Sequence, residues 1–246
     1  MKALIFTTAA ITFIASVCPA EDAEKHLFIL SGQSNMTGGL RAGFARTVES
    51  TLGKQNVTVV MNAKSGRGLR FWDKDYKFPE NYQFPGNRTP EEKHFRQHGS
   101  LYAPLLNAVN SAIEGKTFDT VTFIWMQGES DAGRSLGEVY AESFLRLLAR
   151  LKTDLRRNEL NFVIGRLSDA DMKNERSPHW TKMREVQVNL AESHRNGAWI
   201  DTDDLNGGEP GKPGGHVHYP GKESKILGHR FAEKAIELIR TKKETQ

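Results

Sequence analysis

The sequence predicts a three-layered α/β domain, an open and mostly parallel five-stranded sheet with helices on both faces. Three observations carry that prediction. Short runs rich in apolar, β-branched or aromatic residues recur along the chain, and segments with helical spacing of apolar residues lie between and after them. Each run also ends in polar or glycine-rich residues, as buried parallel strands do where they pass into loops.

Taken in chain order, residues 1–20 stand apart. Lys2 precedes an apolar run from Ala3 to Val17, and Cys18-Pro19-Ala20 then meets Glu21-Asp22, the pattern of a secretory leader cut after Ala20. The run is too short to span a bilayer of about 30 Å, and the bulky Val17 argues against a lipid-modified Cys18. The expectation is therefore export, secreted or periplasmic, with residues 21–246 forming a single domain. Cleavage removes the single cysteine, so the mature chain has neither thiol catalysis nor a disulfide framework.

Strands are predicted at 26–30, 57–61, 121–126, 161–167 and 198–201. Helices are predicted at 101–113 and 180–194, on the apolar positions from Leu136 to Leu151, and on those from Ile226 to Ile239; a further helix is expected to open at Ser34. Residues 73–98 fit neither pattern, holding Pro79, Pro85 and Pro90 among ten charged residues, and are predicted to form a long loop. The aromatic residues Phe71, Trp72, Tyr76, Tyr82 and Phe84, in or near that loop, either stack on sugar faces or pack beneath it. Arg67, Arg70 and Arg88 either favour an acidic polymer or are simply solvated.

The chain has 246 residues, 38% of them hydrophobic, and buries roughly 70% of its unfolded surface without structural metal. Its 34 Lys and Arg against 30 Asp and Glu leave a charge of +4 with no basic arm or stripe, so composition gives no footprint for nucleic acid.

Ligands of open α/β sheets sit beyond the carboxyl ends of the strands, which directs attention to the residues just past each run. After the first comes Ser31-Gly32-Gln33-Ser34-Asn35-Met36, where Ser34 is a candidate nucleophile or a helix cap. Asn62-Ala63-Lys64-Ser65-Gly66-Arg67-Gly68 succeeds the second; Gly66 offers a backbone N–H to an oxyanion, or marks a plain turn. Gln127-Gly128-Glu129-Ser130-Asp131 comes after the third and makes Glu129 an orienting acid or a helix-capping charge. Near the carboxyl end, Gly214-Gly215-His216-Val217-His218-Tyr219 offers two imidazoles. Histidine is the natural base for a serine; zinc held by the pair with Asp201, Asp203 and Asp204 is the alternative, but no third histidine has supporting spacing and the Asp run lacks the calcium-loop pattern, so no metal is expected. Gly133-Arg134-Ser135-Leu136-Gly137 matches G-x-S-x-G in letter only, because residues 128–132 intervene where the strand must enter the elbow directly.

Read together, these blocks resemble SGNH-type hydrolases of the sialate O-acetylesterase-like, carbohydrate acetylesterase family. Ser65-Gly66 with Trp72 behind it, Gly99-Ser100-Leu101-Tyr102, Trp125-Met126 ahead of Gln127, and Gly228-His229-Arg230-Phe231-Ala232 after His218-Tyr219 extend the resemblance over residues 26–239. The resemblance implies a flavodoxin-like α/β/α sandwich and an exported esterase that removes O-acetyl groups from a polysaccharide or a sialic-acid-like sugar. It implies no cofactor and, as partner, an acetylated glycan. By the same resemblance Ser34 is the nucleophile that forms an acetyl-enzyme and His218 the general base. The backbone N–H groups of Ser34 and Gly66 are the oxyanion donors, completed by the side chain of Gln127.

One departure bears on mechanism. The family often carries Asp three residues before the catalytic His, and here that position is Gly215. Glu129 is the expected substitute, with Asp201, Asp203 and Asp204 as alternatives. Two further functions stay open, a lipase or thioesterase acting on longer acyl chains and a polysaccharide-binding relative without catalysis.

Overall fold

The computed structural model describes residues 23–84, 97–209 and 212–244. The predicted leader at 1–20 with Cys18, and Pro85, Arg88 and Pro90 of the predicted loop, lie outside the described residues. Strands β1 (His26–Gly32), β2 (Val57–Ala63), β3 (Thr120–Met126), β4 (Asn161–Gly165) and β5 (Gly197–Ile200) form one sheet in the order β2-β1-β3-β4-β5. Every pairing is parallel, so the sheet is parallel throughout. The chain winds outward in both directions from β1 and β3, which places the topological switch point, and the crevice that accompanies it, between their carboxyl ends.

The strands read as unbroken apolar runs because both faces of the sheet are covered. Leu27 and Ile29 of β1, with Phe123 and Trp125 of β3, face the layer of α2 (Tyr102–Ile113), α4 (Gly137–Asp154) and α5 (Trp180–Glu192). Phe28 and Leu30, with Ile124 and Met126, face α1 (Gly38–Leu52) and α6 (Gly221–Glu244). A single helical turn, α3 (Glu129–Ala132), follows β3.

Helices α1 and α6 cross closely. A Cβ on Gly43 would stand 2.1 Å from the carbonyl oxygen of Lys225, and one on Gly228 would stand 2.0 Å from that of Leu40; the approach exists only because both residues lack a side chain. Nearby, the hydroxyls of Thr37 and Ser224 are 2.6 Å apart. The sequence expectation of a helix opening at Ser34 needs correction, because α1 begins four positions later. Residues 33–37 form turns closed by Met36 N–H to Gln33 O and Thr37 N–H to Asn35 O, and the cap is Thr37, whose Oγ1 accepts from Leu40 N–H at 3.2 Å.

The aromatic residues after β2 are mainly core. Trp72 is fully buried and meets Trp125 edge-on with ring centroids 5.1 Å apart, while Phe71 and Tyr76 are also buried. Phe78, Tyr82 and Phe84 contact one another, the Phe78 and Tyr82 rings stacking at 5.0 Å. Residues 73–84 thus carry no regular element but are tied by their own rings. Among the described residues, no helix is long and apolar enough to cross a membrane.

Candidate active site

Ser34 and His218 meet beyond the carboxyl ends of the strands. Ser34 Oγ lies 2.9 Å from His218 Nε2, the separation of a hydrogen bond in which the hydroxyl donates to an unprotonated ring nitrogen. The turn after β1 carries the serine, and the loop leading into α6 carries the histidine. His218 is exposed, and its neighbour Tyr219 is the anchor, buried to 5% exposure with its phenol O–H donating to Thr202 Oγ1 at 2.8 Å.

Two backbone donors remain for an oxyanion. Among the described residues neither the Ser34 N–H nor the Gly66 N–H meets an acceptor. Gly66 is exposed, with φ +67° and open space where a Cβ would stand; the backbone conformation, not crowding, is what favours glycine there.

The Gln-Gly-Glu-Ser-Asp block lies beneath this pair as a buried network. Asp131 Oδ2 accepts from the Leu69 N–H at 2.8 Å and from Gln127 Nε2 at 2.6 Å, and Gln127 Nε2 also donates to Gln33 Oε1 at 3.1 Å. The loops after β1, β2 and β3 are thereby tied together. This arrangement corrects the expected role of Gln127. Its side chain is fully buried and its amide nitrogen faces Asp131, Gln33 and the Arg67 carbonyl, so its hydrogens are taken up within the network.

Glu129 is likewise displaced from its expected partner. Its Oε1 accepts from Asn35 Nδ2 at 2.7 Å, and its Oε2 is buried with no partner among the described residues. It makes no hydrogen bond to His218, and among the described residues nothing accepts from His218 Nδ1. Burial pushes the Glu129 carboxyl up to about 7, opposed by its hydrogen bonds, including that from Asn35, and reinforced by nearby Asp131. Burial raises Asp131 as well.

The aspartates after β5 are no substitute, because arginines engage all three. Arg166 bonds Asp201 and Asp203 at 2.7 and 2.8 Å, Arg184 bonds Asp203 at 2.7 Å, and Arg230 grips Asp204 through two 2.6 Å contacts. Ser135 stands beyond α3 in a turn with φ +58°, not at a strand end. His216 contributes backbone only, its N–H donating to Asn206 O and its carbonyl accepting from Ser168 Oγ.

Sequence reasoning missed Asn35. It is buried and donates from Nδ2 to both Glu129 Oε1 and the Val217 carbonyl, the latter at 2.9 Å, while its Oδ1 accepts from the Tyr219 N–H at 3.4 Å. Its position directly after the candidate nucleophile was the one available signal.

Comparison with known proteins bears on this arrangement. The family model described as carbohydrate esterase, sialic acid-specific acetylesterase matches residues 39–237. The chain belongs to this family. The match spans Gly66, Gln127, Glu129 and His218 and begins just after Ser34. Three solved structures share this chain's fold. A protein of Arabidopsis thaliana is 18% identical with a TM-score of 0.60, covering 87% of this chain and 98% of that one. A carbohydrate acetylesterase of Xanthomonas citri is 15% identical with a TM-score of 0.60, covering 86% of this chain and 56% of that one. NanS is 12% identical with a TM-score of 0.60, covering 90% of this chain and all of the other. No curated protein matches this chain in sequence.

Proposed function

We propose that this carbohydrate esterase is a serine O-acetylesterase acting on acetylated glycans, with Ser34 as nucleophile and His218 as general base. The single observation that carries the reading is the 2.9 Å contact between Ser34 Oγ and His218 Nε2. In the first half-reaction the imidazole takes the hydroxyl proton, and Oγ forms a bond to the acetyl carbonyl carbon. The N–H groups of Ser34 and Gly66 receive the developing negative charge. The intermediate then collapses, the C–O bond to the sugar breaks, and the imidazolium returns its proton to the departing sugar oxygen. Water, deprotonated by the same imidazole, attacks the acetyl-enzyme; the Oγ–acyl bond breaks, acetate leaves, and the imidazolium returns the proton to Oγ. The leader-like residues 1–20 support export, secreted or periplasmic, as the setting for this activity, with residues 21–246 as one catalytic domain.

Replacing Ser34 by Ala is expected to abolish acetate release from an acetylated glycan, while Ser135→Ala leaves it intact; retained turnover in Ser34→Ala overturns the reading. Rates should also fall from acetyl to octanoyl esters, and the reverse order favours a lipase or thioesterase. That no acceptor meets His218 Nδ1 among the described residues motivates a second reading, a glycan-binding relative without catalysis. A serine-directed phosphonate separates the two, since it labels Ser34 only where the hydroxyl is activated.

A further inference from the structure

Something other than an acid on the imidazole holds His218 in place. The ring nitrogen facing away from Ser34 finds no acceptor among the described residues, yet both peptide groups beside the histidine are gripped. The Val217 carbonyl accepts from Asn35 Nδ2 at 2.9 Å, and the Tyr219 N–H donates to Asn35 Oδ1 at 3.4 Å. The second hydrogen of the same Nδ2 goes to Glu129 Oε1 at 2.7 Å. One buried amide therefore uses both donors and its acceptor, and it follows the nucleophile directly in sequence.

From this geometry we infer that Asn35 is the positioning residue of His218, and that Glu129 acts on the base only through Asn35. The inference rests on the serine–histidine reading above. Asparagine suits the task because it combines the acceptor for one flanking peptide with the donor for the other. Aspartate would lack the donors, and leucine would lack both. Glu129 suits the anchoring role because a carboxylate presents acceptor oxygens to the remaining Asn35 hydrogen in a buried setting, where an unpartnered polar group is costly. Ser34 and Asn35 share one turn, so the segment that presents the hydroxyl also sets the backbone carrying the imidazole.

Steady-state kinetics on full-length variants test this. Loss of the Asn35 grip should lower kcat by about 100-fold in Asn35→Ala with KM unchanged, the effect of a misplaced catalytic group. Glu129→Gln keeps a carbonyl oxygen toward Asn35 and should stay within about tenfold of wild type, whereas an acid bound directly to the base would cost about 10⁴-fold on such a change. Glu129→Ala should fall well below Glu129→Gln, and the double Asn35→Ala/Glu129→Ala variant should fall no further than Asn35→Ala alone, because the two act in series. Should Asn35→Ala fail to fold, the rescue of Glu129→Ala by Glu129→Gln carries the test, and absence of rescue overturns the inference. A wild type that takes the phosphonate and releases acetate, with Asn35→Ala equally active, overturns this inference alone. A wild type that does neither overturns the parent reading and this inference with it.

Discussion

At position 215 the backbone sits at φ +86°, and a Cβ there would stand 2.7 Å from both Asn206 Oδ1 and Gly208 N. Any side chain, the aspartate common in this family included, would displace the loop that Asn206 ties to Gly214, so the missing acid is a consequence of how the loop closes. Glu129 carries its own signature. Folding raises its carboxyl from 4.5 to about 7, so the folded chain binds a proton more readily than the unfolded one between those values. Stability tied to that proton is present at low pH and is lost as pH rises through 7, about 3 kcal/mol in all. Glu129→Gln should therefore melt above wild type near pH 8, with the advantage shrinking toward pH 4.5. Equal melting temperatures near pH 8 would refute the raised carboxyl. That Ser34 and His218 would meet was expected from the resemblance, since position at an element boundary left Ser34 open as a helix cap, and the two side chains do meet. The role of Asn35 was not legible, since its partners Glu129 and Val217 lie 94 and 182 residues away, and Gln127 was singled out but given the wrong partners, since its link to Gln33 spans 94 residues.

The α1–α6 crossing shows why the start of the first helix was misplaced in the sequence reading. Its apolar face is Leu40, Phe44 and Val48, a helical spacing, but Gly38, Gly39 and Gly43 dilute the signal. Gly43 is also the residue that allows α6 to approach, so the feature that makes the contact possible weakens the apolar spacing that would have marked where the helix begins. A methyl on Gly228 would enter the Leu40 carbonyl, and Gly228→Ala should lose on the order of 1–3 kcal/mol or more in urea unfolding, together with acetate release, since α1 follows Ser34 and α6 follows His218. Gly38→Ala, where a Cβ meets nothing within 4 Å, is the matched control and should cost little. Comparable losses in both variants would contradict the crossing. The strands, by contrast, were legible with nearly correct bounds, because burial on two faces leaves continuous apolar runs.

Strand order is a property of the whole molecule, and reading along the chain does not reveal which run pairs with which. Once formed, the sheet grades from centre to edge. β1 and β3 are sheathed by helices on both faces, while β5 is a four-residue edge strand whose Gly197, Ala198 and Trp199 are only half buried. Amides of Phe28–Leu30 and Phe123–Trp125 should exchange with solvent only through global unfolding, and those of Ala198 and Trp199 by faster local opening; uniform protection measured by hydrogen exchange would contradict that gradation. The meeting of Ser34 with His218 also orders events in time. The hydroxyl is synthesised 184 residues ahead of the imidazole, and α6 follows the imidazole. Until α6 emerges, the apolar stripe of α1 lacks the helix that completes its cover over β1, and Ser34 waits without the imidazole that it meets in the folded chain.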